Sequence, residues 1–149
     1  IQMRPDQPED AAVIQCLAFG SNAFNVLVPF YARISETPEY LANTTKEVST
    51  DNFYWNSRLI AAMTDASYGK SIVHVERYQL AVQSDAYAIL HKYDALMEDA
   101  KDPEERRILR EDANREIADM LKKKTADTLD KVLFELSSQM KNAFSRSDN

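Results

Sequence analysis

The chain has 149 residues, 44% hydrophobic and 28% charged, enough for one globular domain with a sizeable core. Residues 1–70 carry 5 basic and 8 acidic side chains and residues 71–149 carry 13 and 16, so the net charge of −6 is evenly spread and argues against nucleic acid or anionic membrane as partner. The single cysteine, Cys16, excludes an internal disulfide framework, and no run reaches the roughly 18 apolar residues of a membrane span.

Residues 1–11 read as a connector, with Pro5, Pro8 and three acids. The first ten residues lack an apolar core behind a basic start and are not a signal peptide. The lone cysteine fits a reducing cytoplasm, although a signal upstream of Ile1 would be invisible. Residues 12–19 are nearly all apolar apart from Gln15, the pattern of a strand buried on both faces. Gly20, Ser21 and Asn22 supply turn chemistry, and residues 24–31 form a second strand-like run. Pro29 inside that run removes a ladder donor and marks a strand end, bulge or edge. A lone hairpin is marginal in water, so the sequence predicts that these strands belong to a larger sheet. With Ile1 in place of an initiator methionine, it also predicts a C-terminal piece of a longer protein.

Residues 35–50 are polar and read as a surface loop. Thr50 or Asp51 is placed to cap a helix from about Asn52, on which Tyr54, Trp55, Leu59, Ala62 and Met63 form an apolar stripe. Gly69 is expected to stop it and Ser71 to cap the next helix, which runs to about Asp99. Along that helix Ile72, Val75, Val82, Ala86, Ile89, Tyr93 and Leu96 recur at helical steps. Asp102-Pro103-Glu104-Glu105 is a strong helix start, with a cap, proline at the first position and acids at the positive dipole end. Leu109, Ala113, Ile117 and Leu121 continue the stripe, which resumes at Leu129, Leu133, Leu136, Met140 and Phe144. One helix over 103–144 and two helices broken near 122–127 both fit. The division is a connector with two sheet strands over 1–34 and a helical region over 35–149, mainly α with a short β-hairpin.

Few residues suggest chemistry. Cys16 lies in an apolar run with no neighbouring histidine and reads as structural. His74 and His91 do not have the i, i+4 spacing of a helical zinc pair, so no metal site is expected. Glu98/Asp99 and Glu104/Glu105 flank a helix–helix turn, where helix-end electrostatics explains them without acid–base work. Lys122-Lys123-Lys124 stands near Asp119, Asp127 and Asp130 and reads as a solvated face. There is no Gly-rich phosphate loop, and no cofactor is expected. The aromatics Phe53-Tyr54-Trp55 and Phe30-Tyr31 flank a polar loop between a strand end and a helix start, where pockets are often lined. They fit either core packing or a pocket in which Tyr31, Tyr54 and Trp55 meet substrate and Arg58 is the charged member. No catalytic machinery is visible.

Three blocks have a specific order and spacing: IQMRPD at 1–6, VPFYARI followed two residues later by TP at 28–38, and DNFYWNSRLIAAM at 51–63. With them, residues 12–93 resemble the C-terminal region of bacterial cysteine dipeptidases of the N-terminal nucleophile hydrolase superfamily. The resemblance implies a four-layer αββα fold, of which this chain would be a C-terminal α+β fragment with residues 12–34 in the sandwich sheets. It also implies a cysteine at the mature N-terminus attacking the peptide carbonyl, with the free α-amino group as base and short peptides as substrates. Ile1 is not that nucleophile and Cys16 does not match its motif, so no catalytic residue of that kind lies in this chain. Arg58 is the position that would match an arginine lining the active site of related amide hydrolases.

Two functions compete. One is the helical portion of such a dipeptidase, supplying strands and pocket wall. The other is a non-catalytic helical module for interaction or oligomerisation. A homo-oligomer, most simply a dimer through the hairpin or the long C-terminal helices, is expected in either case.

Overall fold

A computed structural model describes residues 1–20 and 23–141. It is 61% helical and carries a small three-stranded antiparallel sheet. The order along the chain is β1 (Gln2–Met3), β2 (Val13–Leu17), β3 (Val28–Tyr31), α1 (Glu39–Ala42), α2 (Phe53–Ala66), α3 (Tyr68–Asp99) and α4 (Pro103–Ser137).

The helical hairpin α3–α4 is the frame. Asp102 caps α4 by accepting from the Glu104 N–H, with Pro103 at the first position, as the sequence predicts. Contacts between His74 and Glu135, Tyr78 and Thr125, and Lys92 and Glu116 show that the two helices run antiparallel. Val75, Val82, Ala86, Leu90 and Met97 of α3 and Ala113, Ile117, Leu121 and Val132 of α4 are buried in one core. Each of the larger side chains contributes about 1.5–3 kcal/mol by leaving water. Helix α4 is unbroken through 122–127 and, at 35 residues, is about 52 Å long at 1.5 Å per residue.

The strands differ from expectation in three ways. The expected connector contributes β1, paired with β2 through Gln2 opposite Ile14 and Met3 opposite Val13. The first predicted strand shortens to Val13–Leu17 and is not buried on both faces: Ile14 is buried and Gln15 exposed. The second shortens to Val28–Tyr31, all four residues buried. Pro29 lies inside β3 opposite Cys16. Ala32 N–H bonds Val13 C=O, so the bonded pairs alternate at 13/32, 15/30 and 17/28. Pro29 and Tyr31 therefore turn their backbone groups away from β2, and proline sacrifices no ladder bond there.

The hairpin is not left uncovered. Its outer edge at Tyr31 is closed by Asn114 of α4, which accepts from the Tyr31 N–H at 2.9 Å and donates to the Tyr31 C=O at 3.0 Å. A side-chain amide here does what a neighbouring strand would do. Within this chain α3, α4 and β1 supply most of the cover that a lone hairpin would lack.

Two ion-pair clips tie the N-terminal stretch to the frame. Arg4 grips Asp94 of α3 at 2.6 and 3.0 Å, and Asp10 takes Arg106 and Arg110 of α4 at 2.6 and 2.7 Å. Arg106 holds the Asp10 carboxyl down from its ordinary 3.8 to about 2.

Helix boundaries correct the sequence reading elsewhere. Tyr40 and Leu41 form the short buried α1 inside the expected loop. Asn52, not Thr50 or Asp51, caps α2 by accepting from the Trp55 N–H at 2.9 Å. The α2–α3 break comes at Ser67, so Gly69 sits inside the first turn of α3 and Ser71 is not its cap. Ser21, Asn22 and Phe144 lie outside the described residues. Among those described, no helix is long and apolar enough to cross a membrane.

Candidate functional site

Three consecutive aromatics open α2 and, being about 100° apart on a helix, cannot share a face. Phe53 turns inward, fully buried, with ring centroids 5.3 Å from Phe19 and 5.9 Å from Tyr40. Tyr54 and Trp55 are half-buried and meet edge to face at 5.2 Å, with the Trp55 indole N–H donating to the Thr45 carbonyl. Arg58 follows at i+4 and i+3, where helix geometry brings it over both rings. Its guanidinium carbon lies 5.7 Å from the Tyr54 centroid and 5.8 Å from that of Trp55, and Nη1 donates to the Tyr54 hydroxyl at 3.0 Å. The three α2 candidates thus form one cluster: a cation held on an aromatic shelf.

Beside the shelf runs a groove of about 490 Å³ lined by Gly20, Phe24, Arg58, Ala61, Ala62 and Asp65. Gly20 closes it at φ +81°, a left-handed conformation for which glycine is the natural residue, and a Cβ there would lie 3.5 Å from Arg58 Cγ. Ser57 lies under this turn, 96% buried, and its hydroxyl has no partner among the described residues.

Tyr31 is placed apart from this cluster. It is 1% exposed and its hydroxyl donates to Asp94 Oδ1 at 2.6 Å, with the Leu90 carbonyl at 3.1 Å and Arg4 stacked at 5.5 Å. Burial and the Asp94 carboxylate push its pKa well above the ordinary tyrosine value, so the phenol stays protonated. Cys16 is half-buried against the core. His74 meets Glu135 at 3.3 Å and His91 is exposed, and the described residues contain no group of three or more metal-ligating side chains. Glu104 pairs with Arg107, while Lys124 pairs with Asp85 and Lys122 lies over the Tyr40 ring, as helix-end and helix-face residues would.

A second concavity, of about 670 Å³, was not foreseen. It lies between the α1 segment and α4, with Glu36, Tyr40, Glu111, Arg115, Asp119 and Lys122 among its lining. Glu111 is nearly buried there, held in its charged form by the Ser35 backbone N–H at 2.8 Å and by Arg107 at 2.6 Å. The available signal was the run Glu111, Arg115, Asp119, Lys122 along one helix face, which in sequence looks like ordinary solvated charge. Among the described residues neither concavity pairs a nucleophile with a base, and Arg58 gives the α2 cluster a positive charge.

A family model described as Peptidase family C69 matches residues 1–81. Among curated proteins, a probable dipeptidase A of Streptococcus pyogenes serotype M3 is 38% identical over 150 residues, covering 99% of this chain and 31% of its own length. A dipeptidase of Bifidobacterium longum is 34% identical over 186 residues, covering 99% and 35%. A dipeptidase A of Lactobacillus helveticus is 38% identical over 68 residues, 46% of this chain and 14% of that protein. The chain spans about a third of the length of the first two.

Proposed function

The chain belongs to peptidase family C69, and from that premise we propose that it serves in a dipeptidase, as a part that borders the bound peptide and does not perform the cleavage. The cysteine nucleophile, in this reading, lies in the portion that the relatives possess and this chain does not span. Its α-amino group would take the thiol proton, and the thiolate would attack the carbonyl of a short peptide. The observation that carries the reading is the family match over residues 1–81, which takes in the whole sheet, α2 and the Tyr54–Trp55–Arg58 cluster. The shelf supports it chemically, because a guanidinium held against Tyr54 and Trp55, with N–H groups that meet no other acceptor among the described residues, suits a peptide carboxylate.

Cys16 is not assigned the nucleophile's role. It faces apolar neighbours across from Pro29, and thiolate chemistry needs a base and an oxyanion hole beside the sulfur. The alternative, a free-standing helical interaction module, has less support, since dipeptidase relatives align over 99% of the chain and so include α3 and α4. The test is dipeptide hydrolysis by the protein that carries this sequence, beside the 149-residue chain and its Cys16→Ser variant. Turnover by the longer protein and none by the chain is expected. Turnover by the chain that disappears with Cys16→Ser would refute the assignment of the nucleophile elsewhere.

A further inference from the structure

The concavity of about 670 Å³ between the α1 segment and α4 shares no lining residue with the Arg58 groove, and its α4 wall lies beyond the residues that the family model matches. Along α4, Glu111, Arg115, Asp119 and Lys122 recur at steps of four, four and three and so share one face. The other wall carries Glu36, Glu39 and Asp51 and no base. The side chains of Glu36, Glu39 and Asp119 are exposed and pair with nothing among the described residues. Arg115 is turned to Asp112, and Lys122 lies over the Tyr40 ring, so neither base answers these carboxylates. Glu111 is placed differently. It is 7% exposed, and both of its donors, the Ser35 N–H and Arg107, meet the same oxygen, Oε1. Oε2 accepts from nothing among the described residues and is not sealed from solvent. A carboxylate set this deep is costly unless donors meet it, and here one oxygen is anchored while the other is left to the concavity that Glu111 lines.

We propose that this concavity binds a small aliphatic polycation of the polyamine class, one ammonium donating to Glu111 Oε2 and the others lying among Glu36, Glu39 and Asp119. Such a site is independent of the dipeptidase reading. Five carboxylates to two cations in the lining call for more than one positive charge from the ligand. An ammonium brings three N–H donors and no acceptor, the complement of a wall of carboxylate oxygens. A metal ion fits less well, because it needs its ligands to converge on one point and no three such side chains do so among the described residues. The volume falls within the roughly 300–1,000 Å³ of small-ligand sites, which admits a flexible amine of several carbons.

Titration of the 149-residue chain with spermidine, putrescine, butylamine and magnesium chloride, followed by the amide shifts of residues 36–43 and 111–122, tests this. Spermidine should bind most tightly and butylamine roughly tenfold more weakly, the scale of two further ion pairs at a partly exposed site. Magnesium should give no saturable shift at those residues. Glu111→Gln keeps the side-chain shape and a carbonyl for the Ser35 N–H, and should weaken spermidine by about tenfold, the scale of one charge-assisted hydrogen bond. The double variant Glu39→Gln/Asp119→Asn alters two exposed side chains with no internal partner, so it should leave circular dichroism unchanged and erase the preference for spermidine over butylamine. It decides alone if Glu111→Gln fails to fold. Glu98→Gln, at an exposed acid outside the lining, should change nothing. Unaltered spermidine binding by the double variant overturns the proposal. So do magnesium binding as strong as that of spermidine at the same residues, or a loss with Glu98→Gln equal to that of the double variant, since either reduces the effect to counterion screening of a chain of net charge −6.

Discussion

Replacing Asn114 should be among the most damaging single changes in this chain, although nothing in the sequence sets it apart. Its side chain is 1% exposed and exchanges two hydrogen bonds with the Tyr31 backbone. Asn114→Ala leaves a buried N–H and a buried C=O without partners, at about 1–3 kcal/mol each. Allowing for partial relaxation, the loss should be about 3–4 kcal/mol, a large share of the roughly 5–15 kcal/mol available to a domain. Urea unfolding should show the midpoint falling with an unchanged slope, and the thermal midpoint should drop by about 8–12 °C. Asn114→Leu fills the same space with no donor or acceptor, so it should lose as much. Lys123→Ala, on the exposed face of α4, should stay within about 0.5 kcal/mol. If Asn114→Leu is as stable as the wild type, the edge-closing argument is wrong and packing alone holds β3 in place.

The Asp10 clip predicts acid sensitivity: its folded pKa of about 2 lies below the ordinary 3.8, so its contribution is complete above pH 4 and is lost as pH falls toward 2. After allowance for solvent screening this is about 1–2 kcal/mol, and Asp10→Asn should remove that part of the pH dependence of urea unfolding. Tyr31→Phe deletes the hydroxyl that donates to Asp94 and should cost about 1.5–3 kcal/mol by chemical denaturation; no loss would mean that Arg4 alone satisfies the carboxylate. Self-association, expected from the sequence, is offered an adjacent pair of exposed apolar side chains, Leu133 and Phe134, near the end of α4, so Phe134→Lys should turn a sedimenting dimer into a monomer, and a wild type that is already monomeric at tens of micromolar would refute it.

Much of the helical architecture was legible because its signals are local. Asp102-Pro103 marks the start of α4 through cap chemistry that acts over three residues. The predicted stripe of α4 coincides with its buried face at Ala113, Ile117 and Leu121 and only partly beyond them. The sequence pattern points to Leu129, which packs half-buried against the core, and to Leu133, which is exposed, whereas the fully buried positions are Thr125, Thr128 and Val132, which keep the helical period. Threonine can sit there because Thr125 donates to the Leu121 carbonyl and Thr128 to the Lys124 carbonyl, leaving mainly methyl groups for the core. The same blindness hid Arg110, Glu111 and Asn114, polar residues whose burial depends on partners about 75 to 100 positions away. In the candidate site, Tyr54, Trp55 and Arg58 were legible because helix spacing alone brings them together. Asp65 and Gly20 needed the groove to be seen, and Tyr31 stood near them in the sequence argument only because both flank the same loop.

The covered hairpin leaves one direction in which the sheet can grow. On the β3 side, Pro29 has no N–H and Tyr31 is taken by Asn114, so a further strand finds no run of free donors. On the β1 side, Arg4 N–H bonds Ala12 C=O, and alternation along the ladder turns the Met3 N–H and C=O outward. Met3 is also 67% exposed, unlike any residue of β3. If the protein that carries this sequence builds a wider sheet, as the αββα resemblance implies, the added strand must pair with β1. Amide hydrogen exchange decides this: the Met3 amide should exchange at nearly the unprotected rate in the 149-residue chain and be strongly slowed in the longer protein. Tyr31 should be protected in both. A Met3 amide equally fast in the two would mean that the sheet ends where this chain ends it, and that the relatives' remaining two thirds pack on its helices instead.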